Sequence, residues 1–272
     1  NNQIVPQLMR QHHILGSVNT NIDSQLQEKI RSLSVNYFSQ LGLEYDCAIT
    51  VIEVSTGNVK AISELNRSDE NSYVSSAFSE RSTGSCLKPF IYAKAFDLGL
   101  AWPDKIVSDL PISINGYSPR NNDYQNIEKI AIKDALRLSR NIPAVELLNK
   151  IGLSKFNELM VDLKLESYYD RNQAGLTSAL GGLSISLLDM TNAYGVLARE
   201  GEFLPYAIIS NSMLEKPKRV FTSGSTTMLK ECLIYNKDFN FYAKTGTSWG
   251  PRDAWCIGYD KIYSIGVWVG LK

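Results

Sequence analysis

Apolar and polar positions along the chain predict strands at both ends and helices between them. CAITVIEV at 47–54 is a β-branched, apolar run, followed by the turn signal Ser55-Thr56-Gly57-Asn58 and then VKAIS, which together predict a hairpin. Ahead of it, Asp23 is placed to cap a helix in which Leu26, Ile30, Leu33 and Tyr37 recur at near-helical spacing and offer one apolar stripe for packing. Residues 66–80 are polar and rich in turn formers.

PFIYAKAFDLGL (89–100) predicts a helix ending near Gly99, and a loop rich in Pro, Asn and Asp runs from Pro103 to Asn126. Helical patterns follow at EKIAIKDALRL, IPAVELLNKIG, SKFNELMVDLKL and SLLDMTNAYGVLAREG, with Ser154 and Ser186 as expected N-caps. The last segments, NFYAKTG (240–246), AWCIGYD (254–260) and YSIGVWVG (263–270), are short, aromatic and β-branched, and predict an antiparallel meander. Strands at both termini imply one central antiparallel sheet built from both ends of the chain, an α/β (α+β) domain with helices packed on the sheet rather than a run of βαβ crossovers.

A content of 44% hydrophobic and 21% charged residues is that of a packed globular protein. Basic and acidic residues balance at 28 each, so no charge excess points to nucleic acid or to a solvating tail. No run of about 18 apolar residues marks a membrane-spanning helix. The chain opens at Asn1 without a secretory leader and is expected to be a piece of something longer. Cys47, Cys86, Cys232 and Cys256 form no CxxC pair and no metal-ligand spacing, so they are expected to be free buried thiols, and no metal site is expected. The only histidines, His12 and His13, precede the first amphipathic segment, which turns the search for a catalytic base toward Lys, Asp or Glu.

RSTGSCLKPF (81–90) holds three candidate nucleophiles, Ser82, Ser85 and Cys86, just ahead of Lys88. Ser85 lies three residues before the lysine and would share a helix face with it, so Lys88 would accept its proton if burial or a nearby cation destabilised the ammonium. Gly84 and Pro89 predict a tight, 3₁₀-like start near Ser85, which leaves Ser82 outside the helix and turns Cys86 away from Lys88. Alone, Ser-x-x-Lys is equally the pattern of a capping serine beside a solvated lysine. Ser139-Arg140-Asn141 falls at a predicted helix–helix junction, where Ser139 and Asn141 would point into a cleft; Ser-x-Asn recurs at Ser17, Ser34 and Ser113, so only position singles it out. Lys244-Thr245-Gly246-Thr247-Ser248 ends a strand, where a glycine admits another backbone and the hydroxyls and lysine suit an extended peptide ending in a carboxylate; a plain β-turn is its simplest alternative.

In this order the three motifs resemble the penicillin-inhibited serine acyltransferases. RSTGSCLKPFIYA, GYSPRNND, ALRLSRNIPAVELL, SALGGLSISLLDMTNAYGVLAREG and KTGTSWGPRDAW are similar to segments of the transpeptidase domain of bifunctional class A penicillin-binding proteins, most of all the one-C type. The similarity covers residues 17–272, which divides the chain into a lead-in with its packing helix (1–45) and a transpeptidase domain (46–272) of the β-lactamase-like fold.

The resemblance implies a peptidoglycan DD-transpeptidase that needs no cofactor. Ser85 would attack the penultimate D-alanine carbonyl of a stem peptide ending in D-Ala-D-Ala, release the last D-alanine, and pass the acyl group to an acceptor-strand amine. Lys88 would be its base, Ser139 a proton relay, Asn141 an orienter, and Lys244, Thr245, Gly246, Thr247 and Ser248 the carboxylate-binding strand. The backbone N–H groups of Ser85 and Thr247 would form the oxyanion hole. β-Lactams would be ligands, nucleic acid would not, and a full-length protein would carry a glycosyltransferase domain and an anchor, with this domain at the periplasmic face of a bacterial inner membrane. The same acylation chemistry serves a DD-carboxypeptidase, a penicillin sensor, a β-lactamase, or, without turnover, a silent assembly module. LESYYDRNQAGLTS contains Glu166 but not the class A β-lactamase loop pattern around it.

Overall fold

The hairpin and the meander join into one sheet. In the computed structural model, which describes residues 17–41, 45–65, 75–165, 174–210, 215–248, 250 and 252–270, β1 (Asp46–Glu53) pairs antiparallel with β2 (Val59–Leu65) on one side and with β6 (Tyr263–Gly270) on the other. The register sets Asp46 opposite Gly270 and Glu53 opposite Tyr263, so the two ends of the domain close on each other along a whole strand. With β3 (Ile234–Asn236), β4 (Phe241–Thr247) and β5 (Asp253–Tyr259), the order is β2-β1-β6-β5-β4-β3. β3 covers only Phe241–Ala243 of β4, so from Lys244 onward β4 is the edge of the sheet among the described residues.

Both faces are covered. On one, α6 (Leu187–Ala198) is buried from Leu187 to Leu197 except at Asp189, and its Thr191 hydroxyl meets that of Thr50 on β1 at 2.6 Å. The main core runs from there through α2 (Lys88–Asp97) and α4 (Asn141–Ile151). On the other face, Phe38 of α1 (Ser24–Leu41) is buried apart from that core, as are Cys47, Val51 and Ala61 of β1 and β2.

Asp23 caps α1 as expected, accepting from the N–H groups of Gln25 (2.9 Å) and Leu26 (3.0 Å). Its buried face differs from the predicted stripe: Leu33 and Tyr37 are 59% and 61% exposed, whereas Ser34 and Phe38 are buried. A serine occupies the inner face because its Oγ donates to the Ile30 carbonyl (2.7 Å), which satisfies the hydroxyl locally and hides the face from a hydropathy reading. Ser186 caps α6, accepting from Asp189 N–H at 3.0 Å. Ser154 does not cap; α5 (Leu153–Asp162) starts after Gly152, and Ser154 Oγ donates to Glu158 from inside the helix. In EKIAIKDALRL, Ile130 and Ala131 bridge to Ile106 and Val107 before α3 (Ile132–Arg137) begins. The short α7 (Ser223–Lys230) had no sequence signal, since SGSTTMLK lacks an apolar stripe; Thr222 starts it by accepting from Ser225 N–H while donating to Asp97 on α2.

Candidate active site

The nucleophile stretch folds as a 3₁₀ turn, Gly84–Leu87, that runs into α2 with Pro89 in the first helical turn, where its missing N–H costs no bond. The three candidates then separate. Ser82 Oγ donates to the Gly181 carbonyl (2.8 Å). Cys86 is fully buried, its Sγ 3.7 Å from the Lys244 carbonyl, and burial pushes its thiol up to about 12, so it stays protonated. Ser85 lines a cleft of about 510 Å³.

Beneath that cleft lies Lys88, fully buried. Its Nζ donates to the Ser139 carbonyl (2.7 Å), the Arg140 carbonyl (3.2 Å) and Asn141 Oδ1 (2.7 Å), with Ser139 Oγ at 3.5 Å; Ser85 is not among its partners. Burial, then the charges of Lys244 and Arg140, hold Lys88 well below the ordinary lysine range. Ser139 has φ +56°, a left-handed conformation uncommon outside glycine, which aims both its carbonyl and its hydroxyl into the site from the short α3–α4 junction. Its Oγ also receives Lys244 Nζ at 2.9 Å, so one serine hydroxyl lies between two buried lysines. Lys244 is lowered too, chiefly by burial.

β4 supplies the second wall. Ser248 N–H donates to the Asp253 carbonyl (3.0 Å), which makes this a hydrogen-bonded pair of the β4–β5 ladder. Antiparallel pairs alternate, so Thr247 opposite Ala254 and Thr245 opposite Cys256 direct their N–H and C=O groups away from β5, toward the edge that β3 leaves open. Their side chains share one exposed face, while Lys244 and Gly246 point inward. Ser248 lines the cleft but also accepts from Asp253 N–H (3.0 Å), and Asp253 in turn accepts from Trp268 Nε1 (3.0 Å).

Backbone meets backbone where this strand crosses the Gly84–Leu87 turn. A Cβ on Gly84, at φ +52°, would come within 2.7 Å of Thr247 N, and one on Gly246 would lie 2.5 Å from the Thr83 carbonyl and 2.8 Å from Cys86 Sγ. Gly181 completes the interlock, since its Cβ would lie 2.7 Å from Gly84 Cα. The expected strand glycine at 246 therefore has a partner in Gly84, and Cys86 is small enough to fit over it. Gly181 had no such sequence signal, because its neighbour is 97 residues away in the chain.

The opposite wall is the 109–125 loop. Arg140, 6% exposed, donates from Nε to Asp109 (2.6 Å) and from a terminal nitrogen to Asp123 (2.8 Å), and also bonds the Gln125 carbonyl. Asn121 donates to Asp109 (2.9 Å) and accepts from Asn141 N–H (2.8 Å); Asn141 Nδ2 donates to the Arg120 carbonyl (2.7 Å). Asn141 is thus fixed by the loop on one side and holds Lys88 on the other. Asp109, Asn121 and Arg140 escaped the sequence reading, although GYSPRNND and Ser139-Arg140-Asn141 contain two of them.

All four cysteines are free, three of them buried; Cys256 is exposed, because its side chain shares the solvent face of β5 with Ala254. Among the described residues no group of three His, Cys, Asp or Glu side chains is arranged to hold a metal. Glu166, His12 and His13 lie outside the described residues.

An antiparallel sheet with helices on both faces, a Ser-x-x-Lys turn at the start of a buried helix and a Lys-Thr-Gly edge strand define the fold class of the penicillin-recognising transpeptidases. A solved structure of PonA1 from Mycobacterium tuberculosis, in complex with penicillin V, superposes with TM-score 0.83 at 20% identity, covering 100% of this chain and 83% of that one. The family model described as "Penicillin binding protein transpeptidase domain" matches residues 47–262, and the chain belongs to that family. Penicillin-binding protein 1C of Escherichia coli (strain K12) is 31% identical over 93% of this chain and 34% of its own length. Penicillin-binding protein 1A of Clostridium acetobutylicum is 28% identical over 93% of this chain and 36% of its own. The chain thus spans about a third of these curated relatives.

Proposed function

We propose that residues 46–272, led in by 1–45, form a serine DD-transpeptidase acting on peptidoglycan stem peptides that end in D-Ala-D-Ala, and that β-lactams acylate the same serine. Ser85 Oγ attacks the penultimate carbonyl; its proton passes to Lys88 and through Ser139 to the departing D-alanine nitrogen as the C–N bond breaks. The backbone N–H groups of Ser85 and Thr247 receive the oxyanion, and Lys244, Thr245 and Thr247 hold the terminal carboxylate of a peptide laid along the open edge of β4. An acceptor amine then attacks the Ser85 ester and restores the hydroxyl. By analogy with class A proteins, the full-length protein carries a glycosyltransferase domain and an anchor and works at the periplasmic face of the inner membrane.

The observation that carries this reading is the meeting of two buried, pKa-lowered lysines on one hydroxyl, Ser139 Oγ, directly beneath the cleft that Ser85 lines. A lysine kept neutral by burial and a neighbouring cation is a base, not a solvated surface charge. Lys88 must exchange one of its present acceptors for Ser85 Oγ when substrate binds; catalytic hydrogen bonds commonly tighten only in the complex. Intact mass after incubation with a labelled penicillin tests the assignment: one stable adduct is expected, absent in Ser85→Ala. Adduct on the Ser85→Ala protein would move the nucleophile elsewhere, and rapid loss of adduct would indicate a hydrolase.

A further inference from the structure

One carbonyl in the Ser85 turn lacks the donor that its place in the helix calls for. The turn is built on three-residue steps: the Thr83 carbonyl accepts from Cys86 N–H (3.1 Å), and the Ser85 carbonyl accepts from Lys88 N–H. The next step would join the Cys86 carbonyl to the N–H of residue 89, but that residue is Pro89 and has none. Since α2 begins only at Lys88, the Cys86 carbonyl falls at the seam between two bonding patterns. Cys86 is fully buried, and a carbonyl left unpaired there would be costly.

Tyr194 supplies the missing hydrogen. From α6, 108 residues away in the chain, its hydroxyl donates to the Cys86 carbonyl at 2.8 Å. The side chain is itself fully buried, and its ring meets Phe90 of α2 edge-on at 5.4 Å. Burial holds the phenol well above the usual tyrosine range, so it stays a donor. The residues leading into α6 grip the other end of the turn, because Ser184 and Ile185 pair with Ser82 and Arg81. Ser85 therefore lies between two ties to one segment, and α6 is anchored to the sheet by the 2.6 Å contact of Thr191 with Thr50.

We propose that Tyr194 is a positioning residue for acylation: its hydroxyl takes the place of the N–H that Pro89 lacks and holds the turn in the shape that aims the Ser85 hydroxyl and N–H into the cleft. This rests on the transpeptidase reading above, to which it adds a residue that bonds none of Lys88, Ser139 and Lys244. With the hydroxyl removed, the Cys86 carbonyl can find a new partner only by turning its peptide, and Ser85 and Lys88 stand on either side of that peptide. Substrate binding should survive the turn while reaction slows, because the groups that hold the terminal carboxylate lie on β4.

Tyr194→Phe removes one oxygen and keeps the ring against Phe90. The concentration dependence of adduct formation with a labelled penicillin separates the dissociation constant before acylation from the first-order acylation constant, and Tm is read for every variant. In Tyr194→Phe the acylation constant is expected to fall about tenfold, the range of one buried hydrogen bond, with the dissociation constant held within about twofold. Thr191→Val, on the same helix, also removes a buried hydroxyl but touches no part of the turn; it should lower Tm comparably and leave the acylation constant at its native value. In Tyr194→Phe/Pro89→Ala, residue 89 regains an N–H at the three-residue step, and part of the lost rate should return. A native acylation constant in Tyr194→Phe, an equal fall in Thr191→Val, or no recovery in the double variant would overturn the assignment. A native protein that takes up no penicillin would instead overturn the transpeptidase reading itself.

Discussion

The two walls of the cleft that Ser85 lines are built on opposite principles. On the strand side, the Gly84–Leu87 turn and β4 touch backbone to backbone, and the contact exists because Gly84, Gly181 and Gly246 have no side chains. On the loop side, a 17-residue span from Asp109 to Gln125 has little regular structure, and buried side-chain bonds from Arg140, Asn121 and Asn141 replace the missing ladder. On the proposed reading the strand wall places two backbone donors within ångströms of one carbonyl oxygen, which main-chain packing does reproducibly. The loop wall has no such backbone contact, and side-chain bonds hold it in place.

The sharpest way to break the strand wall is Gly84→Ala. Its new Cβ would sit 2.7 Å from Thr247 N and 2.8 Å from Thr247 C, at a φ of +52° that alanine disfavours. Overpacking and left-handed strain together cost about 3–5 kcal/mol. We expect penicillin acylation to fall by more than about a hundredfold, the scale of a lost oxyanion donor, with a clearly lowered Tm by calorimetry. A variant that acylates normally would show that the two walls do not depend on this contact.

Asp109→Ala should come next. It leaves Arg140, 6% exposed, without its fully buried partner, a change that costs about 3 kcal/mol or more. Chemical denaturation should show that loss, and acylation should weaken through the loosened Asn121–Asn141 link rather than through Ser85 itself. Unaltered stability would mean that the loop wall is held mainly by its backbone.

The smallest effect is electrostatic. Lys88 accepts a proton only when neutral, so the acylation rate should rise with pH through its depressed pKa. Lys244 is the largest cationic contributor to that depression. Removing the charge in Lys244→Ala lets the Lys88 ammonium persist to higher pH, so the inflection should move to the alkaline side, while Lys244→Arg should hold it near the native position. A pH–rate profile for β-lactam acylation reads this independently of any loss in amplitude. An unmoved inflection would assign the depression to burial and Arg140 without Lys244.

Much of this architecture is local in the chain and was legible there. The hairpin at 47–63, the terminal meander, the Ser186 cap and the 3₁₀ start at Ser85 follow from short-range rules about β-branching, capping oxygens, Gly84 and Pro89. Where locality failed, the cause was again identifiable. Ser34 faces inward because its hydroxyl bonds Ile30, which inverted the reading of α1, and α7 is held by Asp97 from 125 residues away. Arg140 looked like a spacer between Ser139 and Asn141, because Asp109 and Asp123 lie outside any local window.

Ser-x-x-Lys, Ser-x-Asn and Lys-Thr-Gly, in order and with their flanks, were enough to indicate the family and to nominate Ser85, Lys88, Ser139, Asn141 and Lys244, since residue type and helical or strand spacing are properties of the chain itself. That Ser85 lines a cleft and that two buried lysines share one hydroxyl beneath it were decided only by the tertiary structure. Burial and the pairing of charges depend on groups far apart in sequence, and the pKa of a lysine is set by what surrounds it, not by what precedes it.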